Sequence, residues 1–358
     1  MNALYAVADS PVAKLVDALK NYIVLNPAVS GALLLLLAGK GPEGLQEKLH
    51  EVLAHIPYDE STIKLALQIL FGAGLVRNVN SKLSELAQNN WRWGPAPGWN
   101  WPQEIAIVTG GSSGIGLGIT ERFAAKGIKV AVLDVQDFPK AKLAPNVKFY
   151  KTDITDPVAL KKSADQVRRD FGEPTILINN AGVTRPSTIL DISHEFLNTI
   201  FKVNTICHWT TVKEFLPAMV KRNHGHVVTI ASVASFVPLP GGADYSSTKA
   251  SALAFHEALG AEIKFAYKAP NVLTSIIHPN FVNTPLVADF KHVLDKGGIA
   301  FLTTDRVADD IVNHVYKRKS DQVIIPGSST FLSTVRSWSN WLQIIVRSAA
   351  AKGLNERV

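Results

Sequence analysis

The chain has 358 residues, 47% hydrophobic and 19% charged, with one cysteine and a net charge of +7. That much apolar material excludes intrinsic disorder, and a single cysteine excludes an intrachain disulfide scaffold or a cysteine-based zinc module. The length fits one large domain with extensions, or two domains. The positive charge comes without any Lys/Arg-rich run, so it suits an anionic cofactor or a membrane surface, and no nucleic-acid partner is expected.

The start, MNALYAVADSPVAKLVDALK, does not read as a secretory signal, because Asp9, Lys14 and Asp17 interrupt it and no basic leader precedes the apolar part. No myristoylation or prenylation box occurs. Between Lys20 and Lys40 the chain carries no charge. That stretch of about 19 residues would be about 28 Å long as a helix, borderline for a bilayer core that needs about 20 apolar residues. Asn26-Pro27 predicts a kink within it. A second apolar run, Leu65 to Val76, reads as too short to span. The expectation is membrane association of the N-terminal part, as a span, a hairpin or an interfacial helix. The competing reading is a pair of core helices. Lysines flank both ends of the first run and set no orientation.

Residues 1–100 read as an α-helical extension without strand-like alternation. They close on WRWGPAPGWNWP, a break in composition that predicts a domain boundary. Beyond it, short β-branched runs alternate with helical stretches: EIAIVT, VAVLD, VKFYKTD, TILIN, HVVTIAS, NVLTSII and DQVII. Helices are expected from about Ile115 to Lys126 and from near Pro157. This pattern predicts an α/β fold over residues 101–327, a doubly wound parallel sheet with helices on both faces. Residues 328–358 form a tail. In it Phe331, Val335, Trp338, Leu342 and Ile345 recur at helical steps, widened by Trp341 and Val346, with Arg336, Asn340, Arg347 and Lys352 facing water. An amphipathic helix of this kind suits a headgroup interface or a seat on its own core.

The first strand runs into Thr109-Gly110-Gly111-Ser112-Ser113-Gly114-Ile115-Gly116. Glycines at a strand-to-helix turn let backbone amides approach a pyrophosphate at a helix N-terminus. Asp134 ends the second strand, about 24 residues past Gly110 and near the offset of a ribose-binding acid. The fold is therefore read as Rossmann-type.

Tyr245 and Lys249 are four apart, so a helix puts them on one face. A fixed ammonium there favours the phenolate of a tyrosine whose ordinary pKa is about 10. Ser232 ends HVVTIAS, at the strand edge where ligands gather in such sheets, with Ser235 as its rival.

The spacing Gly-x-x-x-Gly-x-Gly resembles the TGxxxGIG element of the short-chain dehydrogenase/reductase family, and the resemblance covers about residues 103–327. Asn179-Asn180-Ala181-Gly182 is similar to the family's NNAG, and Tyr245 to Lys249 is similar to its YxxxK. The resemblance implies catalytic roles for Ser232, Tyr245, Lys249 and Asn204, the last holding a relay water. It implies cofactor contacts from Gly110, Ser112, Ser113, Gly114, Ile115, Gly116, Asp134, Asp153, Asn180, Tyr245, Lys249 and Thr284. Pro279-Asn280 departs from the family's Pro-Gly and puts the contacts there in doubt. His278, His208 and Cys207 read as packed or surface residues without a catalytic role, and no metal site is expected.

The layout resembles the membrane-associated retinol and hydroxysteroid dehydrogenase branch. It implies an NAD(P)-dependent oxidoreductase interconverting a lipophilic alcohol and its carbonyl. Asp134 favours NAD over NADP, since neither Ser112 nor Val135 supplies a cation for a 2′-phosphate. The expected setting is intracellular, on a membrane or lipid-droplet surface, as a homodimer. The rival is a non-enzymatic, membrane-attached scaffold that has kept a dinucleotide-binding core.

Overall fold

The structure, a computed structural model, describes residue 19, residues 23–296 and residues 299–351. The readings made on residues 1–18 and 20–22 and on Lys352 lie outside them. The chain forms two compact units that divide between Ala87 and Gln88.

The first unit is helical: α1 Pro27–Leu37, α2 Glu43–Leu53 and α3 Glu60–Gln88. The Asn26-Pro27 pair does not kink a longer helix. It starts α1, with the Asn26 side chain accepting from the Ala28 amide and Pro27 in the first turn, where a missing N–H costs nothing. The 11 residues of α1 are too few to cross a bilayer. The second run does better than expected, because it lies inside the 29-residue α3, which is long and apolar enough to cross. Its Leu65, Ile69 and Val76 are 58%, 62% and 70% exposed. Glycine brings α3 onto the start of α1: a Cβ at Gly74 would stand 2.7 Å from the Leu25 carbonyl oxygen.

The second unit carries a seven-stranded sheet in the order β3-β2-β1-β4-β5-β6-β7. Its strands are β1 Ile105–Thr109, β2 Lys129–Asp134, β3 Val147–Lys151, β4 Ile176–Asn179, β5 Gly225–Ile230, β6 Val272–Pro279 and β7 Asp321–Ile325. All pairings are parallel. All seven strands fall on the predicted runs. The inner strands β1, β4, β5 and β6 are buried throughout because helices cover both faces, while the edge strand β3, VKFYK, mixes buried and exposed residues. Those helices are α4 Gly114–Ala125, α5 Pro157–Asp170, α6 His194–Phe201, α7 Cys207–Arg222, α8 Ala243–Phe265, α9 Lys291–Lys296 and α10 Thr304–Tyr316. One core, with Val108, Ile119, Phe123, Val228 and Ile311, fills one face; Ile107, Leu177, Phe215, Val227 and Leu259 fill the other. Strand order reverses between β1 and β4, and a crevice opens above the strand ends there.

The tail differs from its expected form. Gly327–Ser337 is a 3₁₀ helix, and α11 starts only at Asn340. At three residues per turn, i and i+3 superpose. Ser329, Leu332 and Val335 therefore line up inward at 0%, 0% and 3% exposure, while Phe331 is turned outward at 38%. Leu332, Val335 and Val346, with Trp338 against them, close a third core with Val233, Phe236 and Leu294. The outer side of α11 leaves Trp341, Ile344 and Ile345 more than half exposed.

Candidate active site

The turn after β1 is shaped by contacts no side chain could make. A Cβ at Gly116 would lie 2.1 Å from the Gly110 carbonyl oxygen, and one at Gly110, where φ is +64°, would lie 2.8 Å from Ala181 Cα. Ser113 precedes α4 in extended conformation and its hydroxyl caps nothing. The first amides of α4 thus lack helical partners and open onto the cavity beside Ser113, Gly114 and Ile115. Asp134 holds the turn from the next strand, accepting from the Ser112 amide at 2.9 Å and the Gln136 amide at 3.0 Å. Asn180 ties β4 to the turn, its Nδ2 donating to the carbonyls of Thr109 at 3.0 Å and Gly110 at 2.9 Å.

Across the strand ends, Ser232 follows β5, its Oγ accepting from the Ala234 amide at 3.2 Å, and it faces Tyr245 on α8 across the same cavity. Desolvation pushes the Tyr245 phenol up to about 12, against the lowering effect of Ser232. Lys249, one turn on, is 4% exposed. Its Nζ donates to the Ile230 carbonyl at 2.9 Å and lies 5.6 Å from the Tyr245 ring centroid. Burial brings its ammonium down to about 8. Burial is the largest influence on both groups.

Asn204 sits on a π-helical turn, Lys202–Ile206, between α6 and α7. Single π turns of this kind mark functional positions in helices. Its Oδ1 accepts from the Val183 amide at 2.8 Å, and its Nδ2 donates to the Val183 carbonyl and Thr248 Oγ1.

These elements enclose a cavity of about 350 Å³. Gly110, Ser113, Gly114, Ile115, Asp134, Asp153, Asn180, Ser232, Tyr245, Lys249 and Thr284 all line it. Ser112, Gly116 and Asn204 stand behind its wall: the first has its amide on Asp134, the second is packed on Gly110, and the third is hydrogen-bonded to Val183 and Thr248. The rival Ser235 is buried, with its hydroxyl donating to the Lys249 carbonyl. Asn280 fits where glycine was expected: its Oδ1 accepts from the Phe281 amide at 3.0 Å and its own amide donates to Ile325.

Residues 104–294 match the family described as short chain dehydrogenase. The chain belongs to the short-chain dehydrogenase family. It is 40% identical over 201 residues to Dehydrogenase RED2 of Cochliobolus heterostrophus, covering 56% of this chain and 75% of that one. It is 33% identical over 242 residues to estradiol 17-beta-dehydrogenase 11 of Homo sapiens, covering 65% and 78%. Among solved structures, a short-chain dehydrogenase/reductase from Burkholderia phymatum in complex with NAD superposes with a TM-score of 0.58 at 22% identity, over 65% of this chain and 92% of that one. This short-chain dehydrogenase is an NAD(P)-dependent oxidoreductase acting on CH–OH groups.

Two walls of its cavity were not foreseen, Val183–Pro186 and Leu239–Gly242. They are irregular and joined by the Ser187 amide donating to the Gly241 carbonyl at 3.0 Å. The Pro-Gly-Gly of LPLPGGAD was their one available signal. His278, His208 and Cys207 are buried, the packed one of the two placements left open for them.

Proposed function

We propose that the enzyme interconverts a neutral, lipophilic alcohol and its carbonyl with NAD(H), using Tyr245 as the proton-transferring group. The observation that carries this is the meeting of Ser232, Tyr245 and Lys249 at one cavity whose charged lining is only Asp134, Asp153 and Lys249 among the described residues. The rest of the substrate end is uncharged and mostly apolar, with Val183, Leu239, Phe281, Leu286, Phe290 and Leu294. A carboxylated or phosphorylated substrate would leave a charge without a partner there.

The residues fit a dinucleotide. The Gly110–Gly116 turn and the open amides of α4 would take the pyrophosphate, Asp134 the adenosine ribose, Asp153 the adenine side, and Asn180 and Thr284 the nicotinamide end. When bound, that cofactor supplies or accepts the hydride. The protein's part is to move the matching proton. Ser232 donates to the substrate oxygen and holds it against Tyr245. The phenol, protonated at neutral pH, gives its proton to that oxygen in the carbonyl-reducing direction. Lys249 keeps positive charge beside the phenol and steadies it as charge develops. Asn204 sets the position of Val183 and of α8 through Thr248. Asp134 would repel a 2′-phosphate, and among the described residues no Lys or Arg lines the cavity at that end to offset it, which supports NAD(H) over NADP(H).

The apolar surface of α3 supports attachment of the enzyme to a membrane, from which a lipophilic substrate would come. The test is a screen of hydrophobic ketones and alcohols, estrone and estradiol among them, by nicotinamide absorbance, with liposome flotation of the same full chain. Turnover that disappears in Tyr245→Phe is expected. A chain that binds NADH yet turns over no member of the panel would favour the scaffold reading.

A further inference from the structure

The loop that carries Ser232 continues through a short 3₁₀ turn, Val233–Ser235. Its internal bonds run from the Phe236 and Val237 amides to the Val233 carbonyl, which leaves the carbonyls of Ser235 and Phe236 at the end of the turn without internal donors. The tail supplies them. Arg336 Nη2 donates to the Ser235 carbonyl at 2.9 Å and its Nε donates to the Phe236 carbonyl at 3.2 Å. One planar guanidinium spans two successive carbonyls, a geometry that a lysine's single point donor cannot reproduce.

The arginine is itself braced. Leu332 and Val335, on the inward line of the 3₁₀ helix, pack with Val233 and Phe236. From α11, Gln343 Nε2 donates to the carbonyls of Arg336 at 3.2 Å and Trp338 at 2.8 Å. Arg336 does not line the cavity, so it touches neither substrate nor cofactor.

We propose that Arg336 is a positioning residue: the C-terminal tail, which lies beyond the 104–294 family match, holds the Ser232 loop in register with Tyr245. This rests on Ser232 acting at the substrate oxygen. It gives the tail a part in the chemistry that is separate from any surface its exposed Trp341, Ile344 and Ile345 serve.

The experiment uses the full chain with Arg336→Ala, Arg336→Gln and Arg336→Lys, and Ser232→Ala as the reference. Hydrogen exchange reads the loop directly. In Arg336→Ala the amides of residues 233–237 should exchange about 10- to 100-fold faster while those of β1 and β4 are unchanged. With the best ketone from the screen, kcat should fall about 10- to 100-fold, the cost of a small misplacement at a reacting centre, with the Kd for NADH within twofold. Arg336→Lys should fall between. Guanidinium chloride below its denaturing range should restore part of the lost kcat in Arg336→Ala and do nothing for wild type or Ser232→Ala. A purely scaffolding arginine would not respond in this way. Unchanged exchange at 233–237 and kcat within twofold of wild type overturn the proposal. An equal rise in exchange throughout the sheet also overturns it, because the effect is then global. If Ser232→Ala keeps full activity, the catalytic reading falls instead, and the exchange result still decides whether Arg336 holds the loop. Should Arg336→Ala fail to fold, Arg336→Gln supplies the same readings.

Discussion

His278 Nδ1 lies 2.9 Å from the main-chain oxygen of Ser232. A carbonyl only accepts, so Nδ1 carries the proton and Nε2 is bare. The ring is fully buried, 4.5 Å from Phe236, and its Nε2 has no protein partner. Burial brings its pKa down to about 4, so it stays neutral at working pH and β6 grips the backbone under the site hydroxyl. Asparagine can put an N–H near the Nδ1 position; leucine cannot. His278→Asn should hold kcat within about threefold, while His278→Leu should lose about tenfold or more with the NADH Kd unchanged. Equal kcat in the two variants would remove the role.

The two central groups titrate where burial has moved them. Lys249, lowered to about 8, loses its charge as pH rises through that value; the Tyr245 phenol, raised to about 12, remains protonated there. Carbonyl reduction should be level through neutrality and decline with one proton above about pH 8. Lys249→Arg, charged throughout, should lack that decline. Tyr245→Phe should cost about 10²–10⁴-fold in kcat while NADH still binds. Stopped assays across pH with all three proteins check this, and a decline that persists unchanged in Lys249→Arg assigns it elsewhere.

Asp134 accepts from the Ser112 amide and, in the proposed function, selects the cofactor; one substitution probes both. Asp134→Ser removes the charge that repels a 2′-phosphate and should raise the NADPH-to-NADH ratio of kcat/KM about tenfold or more, worth about 1.4 kcal/mol. It also leaves the buried Ser112 amide without its acceptor, so stability should drop by about 1–3 kcal/mol. Paired kinetics and chemical denaturation read both effects. A wild type that already prefers NADPH would contradict the assignment.

Acid should unfold the second unit early. Desolvation holds the buried His208 at about 3, His278 and His314 at about 4, and His226 well below its ordinary value. His226 and His314 share Ser275 Oγ at 2.8 and 2.9 Å. Folded pKa values below the unfolded 6.5 mean that the fold favours neutral rings. Their contribution is complete above about pH 6.5 and is lost as pH falls from there toward 4, by up to about 1.4 kcal/mol per pH unit for each ring. Urea midpoints at pH 7.5 and pH 5 should differ clearly; equal midpoints would show these rings charging without cost.

The seven strands and the glycine turn were legible because their constraints are local. An inner strand covered on both faces is a largely apolar run, the edge strand β3 mixes buried and exposed positions, and the approach of Gly116 to Gly110 admits no side chain. The ends of α1 were not legible, since Asn-Pro reads equally as a kink or as a start, and only the backbone before it decides. The tail misled through its period: Leu332 and Val335 face inward on a three-residue repeat where a 3.6-residue repeat had selected Phe331. Val183–Pro186 and Leu239–Gly242 had no periodicity to read, and the grip of Arg336 on the Ser232 loop joins residues 101 apart in the chain.

The segment leading into β1 bears on the order in which the protein is made. Asn90 donates to the Pro270 carbonyl, a partner 180 residues later. Arg92 donates to Asn271, the Ala96 amide to the Arg318 carbonyl, and Trp101 stacks 4.0 Å from Tyr316. On the ribosome, this strap emerges before any of its partners and cannot close until α10 and the turn into β7 have been synthesised. The helices of the first unit emerge earlier still, with the exposed leucines, isoleucines and valines of α3 already complete. During translation the apolar unit therefore meets its surroundings, whether chaperone or lipid, while the dehydrogenase unit is still unfinished.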